Sequence, residues 1–95
     1  MTTAPEILTK AANLLAERGK QYDTDAERSM AKTVRAFNAI TGHTLTESDG
    51  WYLLLILKGV RQYQNPSKPH IDSLEDAVAY AALWAEAFMG SDKQG

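Results

Sequence analysis

The chain has 95 residues, of which 44% are hydrophobic and 23% are charged, and its formal net charge is −2. This size and composition predict one soluble globular domain, and the slight negative charge argues against binding of duplex nucleic acid, which requires a basic surface. The sequence contains no cysteine, which excludes disulfides and thiolate metal sites and is compatible with a reducing cytoplasm.

The sequence carries no signal for secretion or for insertion into a membrane. Residues 1–15 lack the basic patch and apolar core of a signal peptide. The longest apolar run, 51–57, is far shorter than the roughly 20 residues that cross a bilayer. We therefore expect a cytoplasmic protein with no membrane partner.

The first predicted helix opens at a capping box that runs from Thr3 to Glu6. Its apolar residues between Ile7 and Leu15 recur at helical spacing, and Gly19 is predicted to end it.

The second predicted helix opens at another capping box, residues 24–27, and ends at Gly42. The third starts within residues 46–49 and runs to about Gln64. Because its apolar run, 51–57, covers every side, we expect it to be the central and most buried helix.

The segment NPSKP, residues 65–69, cannot continue a helix and predicts a loop. Asp72, as N-cap, and Glu75, three residues on, open the fourth predicted helix, which runs to about Met89. Residues 91–95 are expected to fray.

Strand patterns are nearly absent, since no stretch alternates apolar and polar residues. The sequence therefore predicts an all-α fold, a four-helix bundle-like single domain over residues 1–95 with a core of about 4–90. Burial of further surface between subunits would stabilise so small a domain, and we expect it to assemble into a helical homo-oligomer.

The connection between the first two helices holds more charged and hydrogen-bonding groups than a turn needs. The N-terminus of the second helix adds unpaired backbone N–H groups and the positive end of the helix dipole. We predict an anion site here, in which Tyr22 stacks on a base. The alternative is a solvated connection whose acids, Asp23, Asp25 and Glu27, cancel the cations. The predicted ligand-binding residues of this connection are Arg18, Lys20, Gln21, Tyr22, Arg28, Ser29 and Lys32.

Two further groups of charged residues lie at helical spacing. Lys58 and Arg61 share a face of the third helix, where they either line a cleft or pair with carboxylates. Asp72 and Asp76 lie on one side of the fourth helix, as carboxylates that bind magnesium do in helical bundles. The alternative is that both acids serve the start of that helix.

No residue pattern indicates a catalytic group or a zinc site. His43 and His70 both lie in predicted loops without a neighbouring histidine or cysteine, and Ser29 has no histidine near it.

Several motifs resemble a family of small proteins of tailed phages and prophages, and the resemblance spans residues 16–85. The motifs are ERGKQYD (17–23), ERSM (27–30), LTESDGW (45–51), LKGVR (57–61) and DSLEDAVAYAAL (72–83). The lysine and arginine late in one helix, followed by D-x-x-x-D-x-x-x-Y in the next, are also similar to all-α nucleotide pyrophosphohydrolases of the MazG-like type.

The likeness to pyrophosphohydrolases implies a metal site and a phosphate site. Those enzymes are oligomers of four-helix units that hold magnesium with carboxylates from two helices and cleave nucleoside triphosphates between the α and β phosphates. The resemblance implies Asp72 and Asp76 as magnesium ligands, with Lys58 and Arg61 on the phosphates. The enzymes' E-x-x-E motif is not matched, since Glu47 and Asp49 are two apart and point to different sides of a helix.

This mismatch favours a second class of small all-α phage proteins, which bind nucleotide second messengers of bacterial immunity and do not cleave them. We therefore predict a homo-oligomeric nucleotide sponge without a cofactor, acting in an infected bacterium on a small anionic ligand such as a cyclic dinucleotide or an ADP-ribose derivative. One alternative is a magnesium-dependent pyrophosphohydrolase. The other is an accessory protein that binds a host protein through exposed Trp51 or Trp84.

Overall fold

The computed structural model describes the backbone of residues 2–22 and 25–94 and the side chains of residues 2–17 and 29–90. Within these residues the chain forms four α-helices and no strand. The helices are α1 (Ala4–Tyr22), α2 (Asp25–Thr41), α3 (Glu47–Gln64) and α4 (Ile71–Gln94). For this part of the chain the predicted all-α class is confirmed, in an arrangement consistent with a four-helix bundle.

Two helices begin at capping boxes, at the residues where the sequence predicts that they start. The Thr3 hydroxyl accepts a hydrogen bond from the Glu6 backbone N–H at 3.4 Å, and the Glu6 carboxylate accepts one from the Thr3 N–H at 3.1 Å. The same reciprocal pair joins Thr46 and Asp49 at 3.2 and 2.8 Å. Each box satisfies backbone donors that have no partner inside the helix.

The start of α4 differs from the prediction. The helix begins at Ile71, and Nδ1 of His70 accepts a hydrogen bond from the Ser73 backbone N–H at 3.3 Å. His70 therefore provides the cap, and the prediction that Asp72 is the N-cap is wrong. Asp72 instead lies in the first turn, where the positive end of the helix dipole favours an acid.

Gly42 ends one helix, whereas Gly19 and Gly90 lie inside two others. Gly42 follows α2 with a φ of 77°, as predicted, because a residue without Cβ adopts this left-handed conformation at little cost. In contrast, α1 continues past Gly19 to Tyr22 and α4 continues past Gly90 to Gln94. The predicted ends at Gly19 and about Met89 are therefore wrong, since glycine costs only about 1 kcal/mol inside a helix.

The helices α3 and α4 form an antiparallel hairpin across the loop 65–70. The Gln62 side chain stabilises this loop from α3, because its Nε2 donates to the Lys68 carbonyl at 3.0 Å and its Oε1 accepts from the His70 N–H at 2.7 Å. The other two helices pack on the outside of the hairpin, α1 on α4 and α2 on α3, and they contact each other.

Each of the four helices contributes to a small set of buried hydrophobic side chains. Among the described residues the buried hydrophobic side chains are Ala11, Val34, Trp51 and Ala79, one from each helix. The core is therefore thin for a chain of 95 residues.

The prediction that α3 is the most buried helix is wrong. Leu53, Ile56, Leu57 and Val60, which we call the α3 stripe, are 40–60% exposed. The apolar run does cover every side of the helix, but α4 and α2 cover only part of its circumference, and α1 packs on α4 instead.

Candidate functional site

A cluster of charged and aromatic side chains lies at the seam between α3 and α4. Nζ of Lys58 is 3.1 Å from Oδ2 of Asp76 and 5.9 Å from the centroid of the Tyr80 ring. The Tyr80 ring also stacks on Trp51, with the centroids 6.0 Å apart. We refer to these four residues as the seam cluster.

Helix geometry explains why these residues meet. Trp51 and Lys58 are two turns apart on α3, and Asp76 and Tyr80 are one turn apart on α4, so each pair shares a face of its helix. The hairpin then brings the two faces together in antiparallel order. The sequence singled out Lys58 and Asp76 for different roles, and the tertiary structure joins them.

The Lys58–Asp76 ion pair is partly withdrawn from solvent. The exposed fractions of the two side chains are 13% and 21%. Screening by water is reduced at such a position, and the face of Tyr80 adds a favourable cation–π contact to the ammonium group. The pair therefore joins the two helices, and the charge of Lys58 has a local counter-charge.

Arg61, one turn beyond Lys58 on α3, is exposed and has no ion-pair partner within the described part of the chain. Lys58 therefore pairs with a carboxylate, as the alternative interpretation expects of both cations. Arg61 does not, and its guanidinium is open to an external anion.

The side chains of most residues in the predicted anion site lie outside the described residues. These are Arg18, Lys20, Gln21, Tyr22 and Arg28. Ser29 and Lys32 are described, and both are exposed on α2. Convergence of these side chains on one pocket stays a prediction.

The described side chains do not assemble a set of magnesium ligands. Asp72 is exposed in the first turn of α4, and Asp76 is paired with Lys58. No group of three or more histidine, cysteine, aspartate or glutamate side chains that could hold a metal ion occurs among the described residues. A magnesium site with Asp72 and Asp76 as ligands stays a prediction, which requires further ligands from the undescribed side chains or from a second chain.

A second ion pair, which sequence reasoning missed, joins α1 to α4. Nζ of Lys10 is 2.7 Å from Oε2 of Glu75. The hydrogen bond and the charge of Glu75, with a smaller contribution from Asp72, raise the pKa of Lys10 above its ordinary value of 10.5. Glu75 therefore binds the neighbouring helix, and no local spacing in the sequence indicates this partner.

The two tryptophans are not the exposed contact residues that the host-binding alternative assumes. Trp51 is 8% exposed and belongs to the core. Trp84 is half-buried, between Tyr52 at 5.4 Å and Phe88 at 6.0 Å between ring centroids. The large exposed apolar residues of α3 are instead those of the α3 stripe, flanked by Tyr52 and Tyr63.

The described part of the protein is thus a small all-helical domain. Its α3–α4 hairpin carries a cation, a carboxylate and an aromatic ring side by side. None of the helices, over the residues described, combines the length and apolar character that crossing a membrane requires. The chain matches the family described as a domain of unknown function, DUF6378, over residues 6–88, and it belongs to that family. No curated protein and no solved structure matches it.

Proposed function

We propose that the protein binds a nucleotide second messenger of bacterial anti-phage immunity and sequesters it without cleavage, as a homo-oligomer in the cytoplasm of an infected bacterium. The observation that supports this proposal is the juxtaposition of cations and aromatic planes at the α3–α4 seam. Lys58 lies against Tyr80, and Arg61 is exposed one turn further along α3.

A nucleotide needs charged and aromatic contacts. Its phosphates accept charge-assisted hydrogen bonds, for which the exposed Arg61 guanidinium is well suited, and its base stacks on an aromatic ring, the role predicted for Tyr22. The predicted residues of the connection between α1 and α2, Lys20, Tyr22 and Arg28 among them, add further groups of the same chemistry.

Sequestration is favoured over hydrolysis by the Lys58–Asp76 ion pair. The pyrophosphohydrolase alternative assigns Asp76 to magnesium, but a lysine 3.1 Å from the carboxylate competes with a metal ion for the same charge. Binding alone requires neither the metal ion nor an activated water.

The test is incubation of the purified protein with cyclic dinucleotides, ADP-ribose derivatives, nucleoside triphosphates and a nucleotide extract of host cells, each with and without magnesium. The protein is then re-isolated and heat-denatured, and the released compounds are identified by mass spectrometry. We expect an intact nucleotide. Release of pyrophosphate or of a cleaved product would establish the hydrolase instead. Finding neither a retained nucleotide nor a cleaved product, from any source, would overturn both proposals.

The residues involved are tested by single substitutions. We expect Lys20→Ala, Arg28→Ala and Arg61→Ala each to weaken nucleotide binding by about tenfold or more while the unfolding midpoint stays unchanged, because a charge-assisted contact to phosphate contributes about 1.5–3 kcal/mol. Lys68→Ala is a matched control, since Lys68 is also an exposed cation but lies in the loop between α3 and α4. Equal effects of all four substitutions would indicate non-specific attraction by charge.

A further inference from the structure

The α3 stripe forms one continuous apolar face. Leu53, Ile56, Leu57 and Val60 are separated by three, one and three residues, so they project from the same side of the helix. Their exposed fractions are 60%, 45%, 40% and 50%. This spacing is the pattern with which one helix packs against another.

The exposed surface of the chain is larger than that of a typical folded monomer of its mass. The chain exposes 7168 Å², whereas a folded monomer of 10.5 kDa exposes about 5,400 Å². The excess of about 1,700 Å² is larger than the roughly 800 Å² that each partner of a stable dimer buries.

The charges on α3 specify the direction of a helix that packs on this face. Glu47 and Asp49 lie in its first turn and Arg61 in its last turn. A second copy of α3 in parallel orientation would place like charges together. An antiparallel copy separates the two acidic ends and the two Arg61 guanidinium groups, and it also opposes the two helix dipoles.

We propose that the α3 stripe is the surface on which a second copy of this chain docks, in an antiparallel, two-fold symmetric contact. With the two-fold axis between Ile56 and Leu57, Leu53 of one subunit faces Val60 of the other, and the contact is self-complementary. The inference rests on the homo-oligomer part of the proposed function, and it is tested without nucleotide, so that its failure is distinguishable from a failure of nucleotide binding.

The register of the contact is tested with two single substitutions and their mixture. Leu53→Lys and Val60→Glu each place an unpaired charge in the apolar contact, and we expect each to weaken self-association at least about tenfold in sedimentation velocity experiments. An equimolar mixture of the two variants should associate again, because the antiparallel register pairs Lys with Glu on one side of the axis and Val60 with Leu53 on the other. In a parallel dimer position 53 would face position 53, and the mixture would not be rescued in this way.

The control is Ile40→Lys, because Ile40 is an 84% exposed apolar residue on α2, outside the α3 stripe. We expect its association to equal that of the parent protein. The proposal would be overturned if the parent protein were monomeric at all concentrations. It would also be overturned if the stripe variants associated as well as the control.

Chemical cross-linking tests the contact between two copies of α3 with only one residue of the α3 stripe changed. The chain has no cysteine, so Ile56→Cys and Ile40→Cys each introduce a single thiol. Packed helices lie about 8–10 Å apart, and a bis-maleimide that spans about 10 Å should join the Ile56→Cys chains into covalent dimers in high yield. The Ile40→Cys chains should stay largely unlinked, and a reversed order of yields would place the interface elsewhere.

Discussion

Lys58 lies at the α3–α4 seam with its ammonium group between a carboxylate and an aromatic ring. A lysine that follows a long apolar run must either reach solvent or find a counter-charge, because an unpaired charge in a partly buried position is costly. Asp76 supplies this counter-charge from the neighbouring helix. Lys58 therefore contributes to the stability of the hairpin as well as to the charge of the candidate site.

We expect the substitutions Lys58→Met and Asp76→Asn each to lower the free energy of unfolding by about 1–3 kcal/mol, because each removes the ion pair between two partly buried groups. In the double variant the loss should be smaller than the sum of the two single losses. The difference between that sum and the loss in the double variant is the coupling energy, which we expect to be about 1–2 kcal/mol. Urea denaturation of the four proteins measures it. The cycle Lys10→Met with Glu75→Gln is the control, since Lys10 is 59% exposed and its coupling should be smaller. Additive losses at Lys58 and Asp76 would show that the pair does not stabilise the hairpin.

The Lys10–Glu75 pair predicts a dependence of stability on pH in the alkaline range. Glu75 raises the pKa of Lys10 in the folded state, so the folded protein holds this proton more tightly than the unfolded chain. The contribution of Lys10 is therefore fully present below the ordinary lysine pKa of 10.5 and is lost as the pH rises through the raised value.

Urea midpoints of the parent protein and of Lys10→Met test this dependence. Their difference should be constant between about pH 7 and pH 9 and should shrink above pH 10.5. A difference that stayed constant at high pH would mean that Lys10 stabilises the fold through its methylene groups and not through its charge.

At the scale of the element, Gly50 determines how closely α2 approaches α3. A Cβ at this position would overlap Sδ of Met30 and would lie 3.0 Å from Cγ2 of Val34. Val34 is buried and β-branched, so it has little freedom to move away. Glycine costs stability inside a helix, but at this position it makes the close approach of α2 possible.

We expect Gly50→Ala to lower the free energy of unfolding by about 1–2 kcal/mol, because overpacking outweighs the gain of about 1 kcal/mol in helix propensity. Gly59→Ala is the matched control. Gly59 lies in the same helix, but a Cβ added there would meet no atom within 4 Å, so alanine should be neutral or stabilising. Urea denaturation measures both, and equal effects at the two positions would show that α2 does not pack closely at Gly50.

At the scale of the whole molecule, the isolated chain is more open than a typical domain of its length. Its radius of gyration is 14.7 Å, whereas about 12.4 Å is typical of 95 residues. Together with the small core and the α3 stripe, this shape is consistent with the proposed association between chains.

The thermal unfolding midpoint should therefore rise with protein concentration, because association that favours the folded state stabilises it by mass action. Scanning calorimetry over about a hundredfold range of concentration measures this dependence. Leu53→Lys should show a lower and nearly constant midpoint. A constant midpoint in the parent protein would show that the chain folds without help from a partner.

The sequence by itself determined the helices of the described chain and several of their ends, because these depend on local chemistry. The capping boxes at Thr3 and Thr46 and the glycine at position 42 act on backbone groups only a few residues away, and the apolar spacing marks the helical faces. The local pattern gave a wrong helix end at Gly19, where α1 continues to Tyr22. The energetic penalty for one glycine inside a helix is too small to end it.

The tertiary structure decided which helical faces meet. The pairing of Lys58 with Asp76, the contact of Lys10 with Glu75 and the exposure of the α3 stripe all depend on how the helices pack, because side chains many residues apart become neighbours only in the folded chain. An apolar run such as 51–57 has the same sequence pattern whether another helix of its own chain, a second subunit or solvent lies against it.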